Sequence, residues 1–241
     1  MSEKMSRLQP NAQYNVARPD SLPVRIATYQ RKAMYEVLLA EARITAGDEI
    51  LDIGVTSDQT YASSNYLEAW YPHKSKIFAA GIDDASFLVD LYPGVRFVRA
   101  DGLNLPFAGG SFDIVHASAV LEHVGSASNQ MRFIAECARV SSKAFFLTTP
   151  NRWFPIEFHT VLPLVHWLPK TVFRTIMKHT GRSFFADEAN LNLVSKSDLE
   201  RLSASIPELE RFDVTVKTVS LCGWPSNLLL IGRAIGSSAN G

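Results

Sequence analysis

Glu49-Ile-Leu-Asp-Ile-Gly-Val55 is an apolar run that stops at an acid and a glycine. Buried strands run about four to eight residues, so its length suits a strand better than a helix. Similar runs recur outward from it: Ile77 to Asp83, Val95 to Asp101, Phe112 to Ser118 and Ala144 to Thr149. Helical candidates lie between them, at Ser64 to Tyr71, Ala85 to Leu91 and Gln130 to Val140. The last carries Phe133, Ile134, Cys137, Ala138 and Val140 as an apolar stripe. Strands alternating with helices predict a mostly parallel, doubly wound α/β sheet with helices on both faces.

The flanks extend this reading. Arg31 to Ile44 places Met34, Val37, Leu38 and Ala42 at helical spacing. Met1 to Leu22 is polar and proline-punctuated, and residues 1–30 are expected to form an N-terminal arm. After the fifth strand, residues 151–192 are dense in Trp, Phe, Pro and His with no strand pattern, and a helical insertion is expected. Lys196 to Ser205 reads as a helix capped by Ser195 or Ser197. Asp213 to Ser220 and Asn227 to Ala234 are expected to pair antiparallel across a Cys222 to Ser226 turn region. The whole reads as one domain.

Composition narrows the function classes. The chain has 241 residues, with 24 Lys plus Arg against 24 Asp plus Glu. A nucleic-acid binder normally carries a basic surplus to neutralise phosphates, so no nucleic-acid partner is expected. Cys137 and Cys222 fit neither a disulfide framework nor a metal-ligand spacing, and no metal is expected. No secretory h-region and no transmembrane run is evident. A cytoplasmic location is expected, with peripheral contact at the inner membrane face as an option. The oligomeric state is not legible.

Three strand ends carry acids: Asp52, Asp83 and Asp101. In open α/β sheets ligands bind beyond the carboxyl ends of the strands. A lone acid there is usually a turn cap; three in succession point to a ligand rim.

The stretch Asp101-Gly-Leu-Asn-Leu-Pro-Phe-Ala-Gly-Gly-Ser-Phe-Asp113, running on to Leu121-Glu-His-Val124, resembles the class I S-adenosylmethionine-dependent methyltransferases. The likeness is to the small-molecule, methyltransferase type 11-like branch, and spans roughly residues 44–149. It implies a Rossmann-like seven-stranded sheet and S-adenosyl-L-methionine as cofactor. On that likeness Asp83 would accept the ribose hydroxyls and Asp101 the adenine amino group, beside the backbone of Gly102. Gly54 would allow close backbone approach, Asp52 would fix the loop or meet the methionine ammonium, and Ser118 would line the methionine end. The family's glycine-rich run after strand one is altered here, with Thr56 and Asp58 in place of glycines. Either a looser backbone approach or Thr56 and Ser57 hydroxyls in place of amide contacts is expected. This departure also keeps open a non-catalytic binding or scaffold protein. A dinucleotide enzyme is disfavoured, because the G-x-G-x-x-G fingerprint is missing.

The acceptor is the gap. His123 and His159 are candidate bases, and each has a purely structural alternative. Asn151, Arg152 and Trp153 follow strand five and are candidate acceptor contacts. The insertion from Asn151 to Arg182 holds Arg152, Lys170, Arg174, Lys178 and Arg182 against Glu157 alone. A lid packed on the sheet and a membrane-surface segment both fit such a basic, aromatic stretch. The expected acceptor is a small molecule: a glycan, a lipid-linked intermediate or a quinone-like compound.

Overall fold

A computed structural model describes residues 21–236, apart from Thr60, Ala62, Phe158 and Val161. Most of the expected N-terminal arm lies outside the described residues. The elements in chain order are α1 (Leu22–Ala42), β1 (Ile50–Ile53), α2 (Tyr66–Trp70), β2 (Ile77–Gly81), α3 (Phe87–Leu91), β3 (Arg96–Arg99), β4 (Phe112–Ser118), α4 (Ala127–Val140) and β5 (Ser141–Pro150). There follow β6 (Ile156–Glu157), β7 (Leu162–Pro163), α5 (Lys170–His179), α6 (Lys196–Ser203), β8 (Phe212–Leu221) and β9 (Trp224–Ala234).

The main sheet has seven strands in the order β3-β2-β1-β4-β5-β9-β8. β1 to β5 run parallel, and β9 lies antiparallel to both β5 and β8. Strand order reverses between β1 and β4, which makes their carboxyl ends the ligand crevice. The predicted doubly wound sheet with a final antiparallel pair is therefore the fold.

Alternation sorts the strand residues onto two faces. Leu51, Ile53, Val115 and Ala117 pack with Phe133, Ile134 and Cys137 of α4. Ile50 and Ile114 face Leu38 of α1 and Tyr66 and Leu67 of α2. Burying one such Leu, Ile or Phe side chain contributes about 1.5–3 kcal/mol. Ser126 caps α4 by accepting from the Asn129 N–H at 3.2 Å, so the helix starts ahead of the expected Gln130.

Three expectations need correction. Helix α1 begins at Leu22, so residues 22–30 are helical and not an extended arm. Pro23 hid this start, yet proline suits the first helical turn because its missing N–H would have no partner there. The final turn is tighter than expected: only Cys222 and Gly223 connect β8 to β9, at φ of 51° and 80°. That pair of left-handed residues makes the two-residue hairpin whose twist matches the strands.

The insertion is not wholly helical. It holds the β6–β7 hairpin, short 3-10 turns and one α-helix, α5. Two-residue strands are too short to show any period. Phe173, Met177, Phe185, Leu191 and Leu193 give the insertion its own small core. Its ends are stitched to each other and to the turn after β4, with Arg152 N–H donating to Val194 O at 3.0 Å and Asn192 N–H to Glu122 O at 2.7 Å.

Candidate active site at the strand ends

The end of β1 is crowded from below. Pairing of β1 with β4 sets Asp52 beside His116, and His116 Nδ1–H donates to Asp52 Oδ1 at 2.6 Å. Tyr66 Oη–H donates to the other ring nitrogen at 2.7 Å. Burial pushes the Asp52 carboxyl up to about 8 and holds His116 down to about 4. Glu68 of α2 faces Asp52, and burial together with the Asp52 charge raises it well above the ordinary range. Two like charges buried this close disfavour each other, so a neutral carboxyl group is favoured here. Asp52 is thus a member of a buried polar cluster under the rim. Tyr66, Glu68 and His116 were missed in the sequence; the shared register of Asp52 and His116 was the signal that could have exposed them.

The loop after β1 closes on itself. Asn65 clamps the Thr56 peptide, accepting its N–H at 2.9 Å and donating to its carbonyl at 3.0 Å. The Thr56 hydroxyl accepts from the Asp58 N–H at 3.1 Å, so it serves the turn. Ser57 Oγ is buried with no hydrogen-bond partner among the described residues. Gly54 has φ of 92°, and the space beside its Cα is filled by Val120.

Asp83 stands half-buried just past β2, next to Ile82, which is 63 % exposed. Asp101 is exposed past β3 and accepts the Leu103 N–H on Oδ1 at 2.9 Å, leaving Oδ2 clear of donors among the described residues. A Cβ at Gly102 would press on the Phe133 ring at 2.7 Å, so packing against α4 is reason enough for this glycine. Ser118 Oγ accepts from Thr148 Oγ1–H at 3.0 Å at the end of β4. The two rim carboxylates, the apolar Ile82 surface and the orphan Ser57 hydroxyl fit a purine nucleoside joined to a polar chain.

His123 and His159 are brought together. His123 follows β4 on a 3-10 turn spanning Leu121–His123, and His159 sits between β6 and β7. Their Nε2 atoms lie 3.1 Å apart. His123 Nδ1–H donates to Asn190 O at 2.7 Å, and His159 Nδ1–H donates to Glu157 Oε1 at 2.7 Å. Burial works to raise Glu157, but the charge and hydrogen bonds of His159 prevail and hold it down to about 2. Burial works to lower His159, and Glu157 reverses that and raises it above its ordinary value. Burial, then the His159 charge, holds His123 down to about 3. Glu122 beneath them is fully buried, which pushes it up to about 7, and Thr149 Oγ1–H donates to its Oε2 at 2.9 Å.

The residues after β5 divide. Asn151 is spent on structure, donating to Pro225 O at 2.9 Å and accepting the Trp153 N–H at 3.1 Å. Arg152 lines a cleft with Lys170, Arg174, His166 and Asn192. Trp153 lies on the outer surface, 46 % exposed, with its ring 5.3 Å from the Arg152 guanidinium.

A family model described as a methyltransferase domain matches residues 71–144. No curated protein matches the chain. Among solved structures, a protein from Pyrococcus horikoshii OT3 is 14 % identical with a TM-score of 0.57, covering 98 % of this chain and 100 % of that one. Magnesium protoporphyrin IX methyltransferase from Synechocystis, solved with SAH, is 14 % identical with a TM-score of 0.56, covering 93 % and 92 %. The 1,6-didemethyltoxoflavin-N1-methyltransferase of Burkholderia thailandensis is 12 % identical with a TM-score of 0.56, covering 88 % and 80 %.

At such identities these likenesses speak for the fold. With the domain match over residues 71–144 they show that the chain has the fold of the methyltransferases it resembles. Methyl transfer is the reaction that the description of the matched domain names.

Proposed function

We propose that the enzyme methylates a small, lipid-linked acceptor with an anionic group, reached from an anionic membrane surface. The observation that carries this reading is an exposed aromatic surface beside a cationic cleft. Trp153 and Trp224 are 46 % and 48 % exposed, and both rings neighbour Trp167, at 6.1 and 6.3 Å. Ile156, Leu164 and Leu168 add exposed apolar area on the same insertion. Arg152, Lys170 and Arg174 line the adjoining cleft, where an anionic headgroup would be paired. Aromatic residues beside cations suit the boundary between lipid headgroups and acyl chains. No helix among the described residues is long and apolar enough to cross a membrane.

S-adenosylmethionine, when bound, supplies the activated methyl group. The chain's part is to hold and align. Asp83 accepts hydrogen bonds from the ribose hydroxyls, and Asp101 Oδ2 accepts the adenine amino group. Asp52 supports the β1 end from below, and Gly54, Thr56, Gly102 and Ser118 shape the backbone around the cofactor. Arg152 pairs the acceptor's anionic group, Trp153 packs on its apolar part, and Asn151 holds that segment in place. His123 and His159, the candidate bases, meet ring to ring where the insertion reaches the turn after β4.

Two measurements test this reading. Calorimetric titration with S-adenosylmethionine is expected to show one site per chain; a folded protein that takes up none defeats the cofactor assignment. Co-sedimentation with vesicles containing phosphatidylglycerol is expected to be salt-sensitive, and weaker with phosphatidylcholine alone. Equal absence from both pellets overturns the membrane-presented acceptor.

A further inference from the structure

We infer that Glu122, His123 and His159 form a binding site for one divalent transition-metal ion of the zinc type. The three side chains each offer a ligand atom, and those atoms all lie within 4.8 Å of one another. The two Nε2 atoms are 3.1 Å apart, and Glu122 Oε1 is 3.8 Å from His123 Nε2. Nitrogens bound to tetrahedral zinc at about 2.0–2.1 Å stand roughly 3.3–3.4 Å apart. The rings are therefore close to the needed spacing, and Glu122 needs only a small inward movement.

Orientation makes the stronger argument. Every ligand is held by its other polar atom. His123 Nδ1–H is bound to Asn190 O, His159 Nδ1–H to the Glu157 carboxylate, and Glu122 Oε2 to the Thr149 hydroxyl. A carboxylate or carbonyl on the outer nitrogen is how proteins fix a metal-binding imidazole, leaving the inner lone pair to the metal. With both Nδ1 atoms donating, both Nε2 lone pairs point into one small space. A positive charge suits that space, as a proton on one Nε2 or as a metal ion.

A proton and a metal ion are the two candidates, and Glu122 distinguishes them. Its Oε1 is buried and has no hydrogen-bond partner among the described residues. A proton shared by the two imidazoles leaves that oxygen orphaned, at the cost of an unsatisfied buried polar atom. A metal ion takes both nitrogens and the oxygen together. Three protein ligands leave a fourth position, as in zinc sites that also bind water or an acceptor oxygen. The histidine side chains are 18 % and 12 % exposed, so an ion has a way in. Sequence spacing hid the site, because Glu122-His123 and His159 meet only through the fold.

The test is metal uptake by the intact chain, which needs no methyl acceptor. Chelator-stripped protein is titrated with Zn²⁺ by calorimetry, and with Co²⁺ by visible absorption. One equivalent is expected, with Co²⁺ bands of low-coordinate geometry. H123Q and H159Q are each expected to weaken uptake at least tenfold. E157Q, which removes only the orienting carboxylate, is expected to weaken it about 10–100-fold. Near-ultraviolet circular dichroism checks that each variant is folded. Folded wild-type protein that takes up neither ion overturns the proposal, as does unchanged uptake by a folded H123Q/H159Q double variant. Cofactor titration is independent of both results, so a failure here is distinguishable from a failure of the methyltransferase reading.

Discussion

Val120 fills the space that a Cβ at Gly54 would need, so the turn leaving β1 and the turn leaving β4 are locked together. Gly54 also holds φ of 92°, a conformation that costs other residues extra energy. Gly54→Ala is therefore expected to destabilise the protein by roughly 2–4 kcal/mol, combining overpacking with backbone strain. Adding Val120→Ala should recover the packing part and leave the backbone part. Urea unfolding of the two variants measures both; an unchanged midpoint in Gly54→Ala would refute the lock.

Asp83 offers the sharpest probe of the cofactor side. Asp83→Ala removes a charged acceptor at the end of β2 and is expected to weaken S-adenosylmethionine by about 1.5–3 kcal/mol. Calorimetry reads this directly. An affinity equal to wild type would place the ribose elsewhere.

Glu68 and Asp52 set the pH response of stability. Both carboxyl groups are raised in the fold, so the native state holds protons that the unfolded chain releases. Stability from that source is present at low pH and is lost as pH rises towards about 8, the Asp52 value. Glu68→Gln keeps that position neutral at every pH. It is expected to raise stability at pH 8 by on the order of 1–3 kcal/mol and to flatten the slope between about pH 5 and 8. Thermal melts across that range decide it. His116 acts on the acid side: held down to about 4, it costs stability as pH falls from its ordinary value towards 4.

Ser195 is a local test of the α6 start. Its hydroxyl accepts the Asp198 N–H at 3.2 Å, and Asp198 accepts the Ser195 N–H at 3.1 Å. Ser195→Ala is expected to cost about 1 kcal/mol. A loss near zero in urea unfolding would show that the capping box contributes little.

Legibility followed periodicity. The strands of the parallel sheet stood out because Ile50, Ile77 and Ile114 belong to apolar runs bounded by acids and glycines. The acids Asp83 and Asp101 could be placed on the rim because they end such runs. What stayed hidden was long-range or aperiodic. His123 and His159 are separated by 36 positions and meet only after the hairpin folds back. The β6–β7 hairpin carries too few residues for alternation. The start of α1 was masked by a proline that reads as a breaker in the sequence and as a helix opener in the fold. The crowding at Gly54 depends on Val120, from a different loop.

Asn151 and Val194 form a parallel bridge, so the insertion comes back beside the point where it left β5. Such a segment is topologically a cassette. Its length, content and hairpin can change while β5 and α6 keep their positions, and the rim acids at Asp83 and Asp101 are left undisturbed. The insertion can thereby vary while the sheet is kept.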